Sequence, residues 1–246
     1  MTTDNQTINK KSASTDYNEA IAAIYSGRNN RDTGYLAYRD LPLLLKKLGV
    51  GLKALDFGCG TGFSSNILAE AGHHVTGADI STNMLSQAQT KYPSINFIKI
   101  NEEKTSFQDA EFDIILSAFV LLEINCINKI KETLIELRRI IKDNGHLIIV
   151  TTSEYFPKHN WLTGLNNIEK NADIISGQSY SVFDTKNNMT FSDFYYCDQS
   201  YRSAFTKAGF EVKKLLQPLG EVADEIEWST ELTIPPYSIY ICTPSA

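Results

Sequence analysis

Short apolar runs alternate with amphipathic stretches over most of this chain, and each change of period marks an element. The runs at 53–57, 74–78, 95–100, 112–116 and 146–151 read as strands. The stretches at 64–71, 82–91 and 127–141 carry apolar residues at helical spacing. Pro93 follows the second, and Asn144–Gly145 closes the third. Upstream, 16–25 and 34–48 read as helices, and Gly49 and Gly51 separate the latter from the first strand. The rhythm breaks at 152–193, which is rich in Asn, Ser and Tyr and reads as an insertion or lid. A helix at 199–208 then ends at Gly209, and 210–216 and 237–242 give two more strands. Strand–helix alternation of this kind predicts an α/β fold: a mostly parallel sheet with helices on both faces. One domain over 16–246 accounts for the chain, with a helical cap at 16–50, the insertion at 152–193, and 1–15 as a polar, disordered tail.

Composition narrows the class. The chain has 246 residues, 42% apolar and 21% charged, which is enough for one large core. No apolar run approaches the roughly 20 residues of a membrane span, and the polar tail lacks a signal-like stretch. Cys59, Cys126, Cys197 and Cys242 form no Cys-x-x-Cys pair and have no histidine at zinc spacing, so no metal site is expected. A reducing cytoplasm suits such cysteines. Net charge is −6, and the basic pairs Lys46–Lys47, Arg138–Arg139 and Lys213–Lys214 fall on separate elements. That distribution argues against a nucleic-acid footprint. The expected partners are a small-molecule substrate and no membrane, in a monomer or homodimer.

Candidate chemistry begins at Ala54–Phe63, ALDFGCGTGF. A buried strand ends in Asp56 and runs into Gly58, Gly60 and Gly62, where the backbone can turn sharply and approach a ligand. In an open parallel sheet, this first strand–loop–helix junction is where ligands bind. The second strand ends at Asp79, which lies 79 − 58 = 21 residues after Gly58. That is near the spacing of roughly 20 at which a carboxylate reaches a ribose diol. The same carboxylate would repel a 2′-phosphate, so the pair points to a nucleoside without one. Either half alone has a plainer reading, as a tight turn or as a helix cap shared with Ser81. Cys59 fits as the small residue of the turn, with a nucleophile as the other reading.

The segments ALDFGCGTGF, GADIS, FDIILSAFVLLEI and NGHLIIVT occur in the order and spacing of the class I S-adenosylmethionine-dependent methyltransferases, which the chain resembles over about half its length. The loop is G-x-G-x-G, unlike the G-x-G-x-x-G of dinucleotide enzymes, and no G-x-x-x-x-G-K-[ST] phosphate loop is present. The resemblance implies a Rossmann-like, doubly wound, seven-stranded sheet whose last strand is antiparallel. It implies S-adenosylmethionine as cofactor and S-adenosylhomocysteine as product. Gly58, Cys59, Gly60 and Gly62 would lie along the methionyl part and the ribose, and Asp56 near the amino group. Asp79 would hold the diol, Ile80 would pack on the adenine, and Ser117 and Phe119 would border the sulfonium. Related enzymes often place an aspartate near the adenine amine; here that position reads Asn101–Glu102. Tyr17, Tyr25, Arg28 and Arg39 are candidates to cap the pocket, an arginine pairing with the cofactor carboxylate.

The acceptor end falls to the insertion and the last loop, where Tyr155, His159, Trp161, Tyr180, Phe183, Tyr195 and Tyr196 accumulate ahead of Glu227, Trp228 and Glu231. Aromatic walls with a few polar groups suit a small, partly apolar acceptor. His159 is a candidate general base, Glu231 could orient an amine, and Tyr180 is the third catalytic candidate. For each, the plainer reading is a structural or solvent-facing side chain. The expected function is methyl transfer to N or O of a small molecule. A peptide or protein N-methyltransferase and a non-catalytic cofactor-binding regulator are the alternatives.

Overall fold

The computed structural model describes residues 19–27, 31–49, 51–101 and 104–245. The tail at 1–15, Tyr17, Arg28 and Glu102 lie outside them. The chain begins with α1 (Glu19–Ser26), α2 (Tyr35–Tyr38) and α3 (Leu41–Lys47). The single helix expected at 34–48 is therefore two. Pro42 sits in the first turn of α3, where it has no amide to donate to the turn before it. Leu36, Leu41 and Leu45 stay buried across the break, so the apolar period continues through it.

Next come β1 (Lys53–Phe57), α4 (Phe63–Glu70), β2 (His74–Asp79), α5 (Thr82–Lys91), β3 (Asn96–Lys99), β4 (Phe112–Ala118), α6 (Ile127–Ile140) and β5 (Ile141–Thr152). The end of α6 differs from the sequence expectation. Ile141 already pairs with Phe112, and the ladder resumes at Ile114 with His146. Asn144–Gly145 thus sit in an irregularity inside β5 rather than capping the helix.

The segment read as an insertion holds β6 (Gly164–Asn166), α7 (Ile168–Asn171), β7 (Ser179–Asp184) and β8 (Met189–Phe194), and its three strands form a separate antiparallel sheet. The chain closes with α8 (Asp198–Lys207), β9 (Phe210–Leu216) and β10 (Tyr237–Pro244). The main sheet has the order β3-β2-β1-β4-β5-β10-β9. Pairs β3–β2, β2–β1, β1–β4 and β4–β5 are parallel; β10 runs antiparallel to both β5 and β9.

Alternate residues of each central strand serve opposite cores. Ala54, Ile114 and Ile148 join Leu36, Leu41, Leu45 and Leu68 on one face, with the second sheet packed beyond. Leu55, Ile115 and Ile149 join Ile130, Leu134, Leu137 and Phe205 on the other. Because both faces are covered, the strands are apolar throughout, and that is why they stand out in the sequence. Strand order reverses between β1 and β4, so a crevice opens beyond their carboxyl ends.

Candidate active site

A cavity of about 780 Å³ fills this crevice, within the range of roughly 300–1,000 Å³ usual for small-molecule sites. Its floor is the carboxyl ends of β1, β2, β4 and β5 and the amino end of the antiparallel β10; the second sheet and the N-terminal helices wall it.

The glycine turn has a separate reason for each residue. Gly58 has φ +73°, and a Cβ there would lie 2.2 Å from Val120 Cγ2, so the turn and the loop after β4 close on each other. Gly60 has φ +51° and nothing within 4 Å of its Cβ position, so its bare backbone faces open space in the cavity wall. Gly62 opens α4 and does not line the cavity; a Cβ there would meet Phe97 and Tyr92. Its expected cofactor contact is corrected to helix–sheet packing.

Asp79 is 9% exposed and lines the cavity. Gly60 donates its backbone N–H to Oδ2 at 2.8 Å, and Ser81 donates to Oδ1 at 2.8 Å. Each oxygen keeps a lone pair for a further donor. Burial pushes this carboxyl above its ordinary value, against the pull of the two amides. Ser81 Oγ accepts from Met84 N and caps α5.

Asp56 is fully buried and does not line the cavity. Ser64 and Ser65, in the first turn of α4, both donate to Oδ2, while Oδ1 has no partner. Burial raises its pKa to about 6. Asp56, expected near the cofactor's amino group, thus stands behind Ser64, which itself faces the cavity.

Cys59, Ile80, Asn101, Phe119 and Tyr25 also line the cavity. Burial pushes the Cys59 thiol well up, away from the thiolate a nucleophile needs. Phe119 takes φ +61°, a strained backbone for a side chain of this size. Its N–H bonds to Val150 O at 2.8 Å, which holds the loop after β4 over β5. Ser117, two residues earlier in β4, is buried and does not reach the cavity.

The remaining candidates are placed elsewhere. His159 lies outside the cavity, its Nδ1 3.0 Å from Tyr155 O and its ring beside Trp161. Tyr180 is 3% exposed, behind the wall, with its hydroxyl 3.4 Å from Thr152 Oγ1 and its phenol pushed well up by burial. Glu231 is fully buried, accepting Thr33 Oγ1 at 2.7 Å and Leu162 N at 2.8 Å through Oε1, and Ser229 through Oε2. It ties the cap, the second sheet and the last loop together, away from the reacting space. Arg39 pairs with Asp40, Glu221 and Asp224 and strengthens the same junction. A carboxylate ligand would have to compete with three carboxylates for it.

Sequence reasoning missed Thr33, Tyr38, Thr152, Phe191, Asp193 and Tyr237, all of which line the cavity. For Phe191 and Asp193 a signal existed. In Met189–Phe194 buried and half-buried residues alternate, so reading that run as a strand puts both on one face. Among the described residues no group of three or more metal-ligating side chains occurs, and no helix is long and apolar enough to cross a membrane.

Comparisons with known proteins bear on this geometry. Residues 55–149 match a family model described as a methyltransferase domain. A malonyl-[acyl-carrier protein] O-methyltransferase of Pseudescherichia vulneris is 31% identical over 136 residues, 54% of this chain and 53% of that protein. A demethylmenaquinone methyltransferase of Renibacterium salmoninarum is 34% identical over 103 residues, 42% of each. The chain thus spans about half the length of the curated relatives it matches. Among solved structures, the CcbJ methyltransferase of Streptomyces caelestis superposes with a TM-score of 0.70 at 15% identity, covering 95% of this chain and 99% of that one. An S-adenosylmethionine-dependent methyltransferase of Mesorhizobium loti gives 0.62 at 16% identity, covering 84% and 97%. At such identities the likeness is one of fold.

Proposed function

Since this chain belongs to the class I S-adenosylmethionine-dependent methyltransferases, we propose that it transfers the methyl group to nitrogen or oxygen of a small-molecule acceptor held in the cavity above β4, β5 and β10. The observation that carries this reading is the pairing of Asp79 with Gly60 at the cavity wall, a bare turn and a carboxylate braced side by side.

The residues present fit the cofactor. Gly60 leaves its backbone open to a close-lying chain, and Asp79 keeps lone pairs for a ribose diol. Ile80, Met84 and Ile100 give an apolar slot for a flat base, with the Asn101 amide at its rim. When bound, the cofactor supplies an electrophilic methyl group on a cationic sulfur and a thioether leaving group. The chain's own task is to hold two partners in line and keep water out, which can supply roughly 7–11 kcal/mol of a barrier. Phe119, Tyr38 and Tyr237 wall the reacting space with rings. No general base is assigned; His159, Tyr180 and Glu231 are all turned to other partners.

The relatives' names supply little about the acceptor. One methylates a malonyl group on a carrier protein and the other a menaquinone precursor, judging by those names. The family match ends at residue 149, before the second sheet begins at Gly164. What is shared is the cofactor half. A cavity of about 780 Å³ suits a compact acceptor, and its acidic lining disfavours a phosphate backbone.

Calorimetric titration with S-adenosylmethionine, S-adenosylhomocysteine and NAD tests the reading. Binding of the first two, weakened in Asp79→Ala, supports it; binding of NAD alone overturns it.

A further inference from the structure

Asp56, near the end of β1, is a buried carboxylate that no cation among the described residues balances. The hydroxyls of Ser64 and Ser65 donate to Oδ2 at 2.7 and 2.5 Å, and Oδ1 has no partner. With its pKa at about 6, the group is ionised at pH 7. Its titratable neighbours, Asp79 from β2 and the Cys59 thiol of the turn, bring no positive charge. Asp79 in turn is held by the backbone amides of Gly60 and Ser81, without an ion pair. Among the described residues the cations lining the cavity are Lys91 on α5 and Lys129 on α6. Lys91 donates to Ser26 O, and neither lysine pairs with either aspartate. A buried charge without a counter-charge is costly, so the pair favours a cation that a ligand brings.

Ser64 is the path from this charge to the cavity. It is 5% exposed and lines the cavity, whereas Asp56 and Ser65 are fully buried and do not. Its one proton is given to Asp56, so the hydroxyl offers lone pairs to whatever lies in the cavity. Beside it, Phe63 meets Tyr38 edge-on with centroids 5.0 Å apart, and both rings line the same wall. Apolar walls exclude water and leave the charge less screened. Ser64 also stands in the first turn of the eight-residue α4, an end that ordinarily draws an anion. Here Asp56 already occupies that end, with the Ser65 amide pulling its pKa down against burial. A ligand carboxylate would meet like charge there. An ammonium would meet an acceptor oxygen with a carboxylate behind it.

We propose that Ser64 is a further cofactor-binding residue, whose Oγ accepts from the ammonium of the cofactor's amino-acid end. Asp56 acts through it as a positioning residue: it holds the hydroxyl proton inward and supplies the opposite charge. The carboxylate of the same amino-acid end then lies away from α4. This rests on the methyltransferase reading above, which puts the ribose at Asp79 and leaves the amino-acid end to the rest of the turn.

The test is calorimetric titration at pH 7.5 with S-adenosylhomocysteine, its decarboxylated analogue and its deaminated analogue. Wild type, Ser64→Ala, Ser64→Thr and Asp56→Asn are compared. Ser64→Ala should weaken the first two ligands about tenfold or more and leave the deaminated one unchanged. Asp56→Asn should show the same selective loss, and Ser64→Thr, which keeps the hydroxyl, should bind all three as wild type does. An equal loss for all three ligands in Ser64→Ala would mean a merely structural hydroxyl and overturn the proposal. So would no loss for any, or a loss for the deaminated ligand that spares the decarboxylated one, which would mark a carboxylate seat. If Asp56→Asn does not fold, the two Ser64 variants decide. Failure of wild type to bind S-adenosylhomocysteine would instead sink the methyltransferase reading itself.

Discussion

Asp79 at the end of β2 accepts the backbone N–H of Gly60, in the turn that follows β1, at 2.8 Å. Two strands that pair in parallel through their length are thus joined again where they leave the sheet. The acid fixes the turn whose open face lies in the cavity wall, so shape and charge at this corner depend on one side chain. Glycine spacing and an acid about 20 residues on are two traces of one local structure.

Removing that carboxylate should act on binding more than on folding. Asp79→Ala deletes the brace on Gly60 and the acceptors for a diol. Hydrogen bonds to charged groups contribute about 1.5–3 kcal/mol each. S-adenosylhomocysteine affinity should fall by about ten- to a hundredfold or more. Asp79→Asn keeps one acceptor oxygen and should lose less. Calorimetry on both variants checks the order, and equal affinity in Asp79→Ala and wild type would refute it.

Asp56 predicts a pH dependence. Its folded pKa is raised from 3.8 to about 6, first by burial, with Ser65 and Ser64 pulling the other way. Between those values the folded chain holds a proton the unfolded chain has released. This contribution to stability is therefore full below 3.8 and is lost as pH rises through about 6. Two pH units correspond to about 3 kcal/mol at most. Asp56→Asn cannot ionise. Its Tm relative to wild type should rise between pH 4 and pH 7 by several degrees, at ~2–4 °C per kcal/mol. Thermal melts across that range check the slope; parallel curves would contradict it.

The contact of Gly58 with Val120 predicts a coupled pair. Gly58→Ala adds a Cβ 2.2 Å from Val120 Cγ2 at a φ of +73°. Overpacking costs about 1–3 kcal/mol and a left-handed non-glycine residue about 1–2 more. Val120→Ala should relieve the first cost and leave the second. A double-mutant cycle by urea unfolding should show a coupling of about 1 kcal/mol or more. Strict additivity would mean the loop after β4 moves away freely.

How far the sequence could be read follows from which residues answer to local pattern. The first strand is apolar on both faces and ends in glycines, so its bounds at 53 and 57 are legible without tertiary knowledge. Met189–Phe194 alternates at its start, but the polar run before it and the acid Asp193 at an inward position obscure the period. The cofactor corner is built from residues about 20 apart in the chain. The acceptor side is built from Tyr25, Phe119, Phe191 and Tyr237, which only the fold brings together. Glu231 shows the limit most plainly. In sequence it is one acid in a polar loop; in the structure it is fully buried, and its partner Thr33 is 198 residues away.

Glu231 also gives a test that needs no substrate. Its carboxylate satisfies the amides of Leu162 and Ser229 and the hydroxyls of Thr33 and Ser229. Glu231→Ala strands the Thr33 hydroxyl in a buried site and the Leu162 amide in a half-buried one, at about 1–3 kcal/mol each, and frees Ser229 to water. Tm should fall sharply, and the Leu162 and Ser229 amides should lose protection against hydrogen exchange. Glu231→Gln keeps a carbonyl oxygen for Thr33 and Leu162 but turns its amide toward Ser229, so exchange at Ser229 alone should rise. A residue that acted on substrate would give another pattern: both variants would fold as wild type does and keep Leu162 protected. Exchange measured at those two amides separates a tie between cap, second sheet and last loop from a catalytic acid.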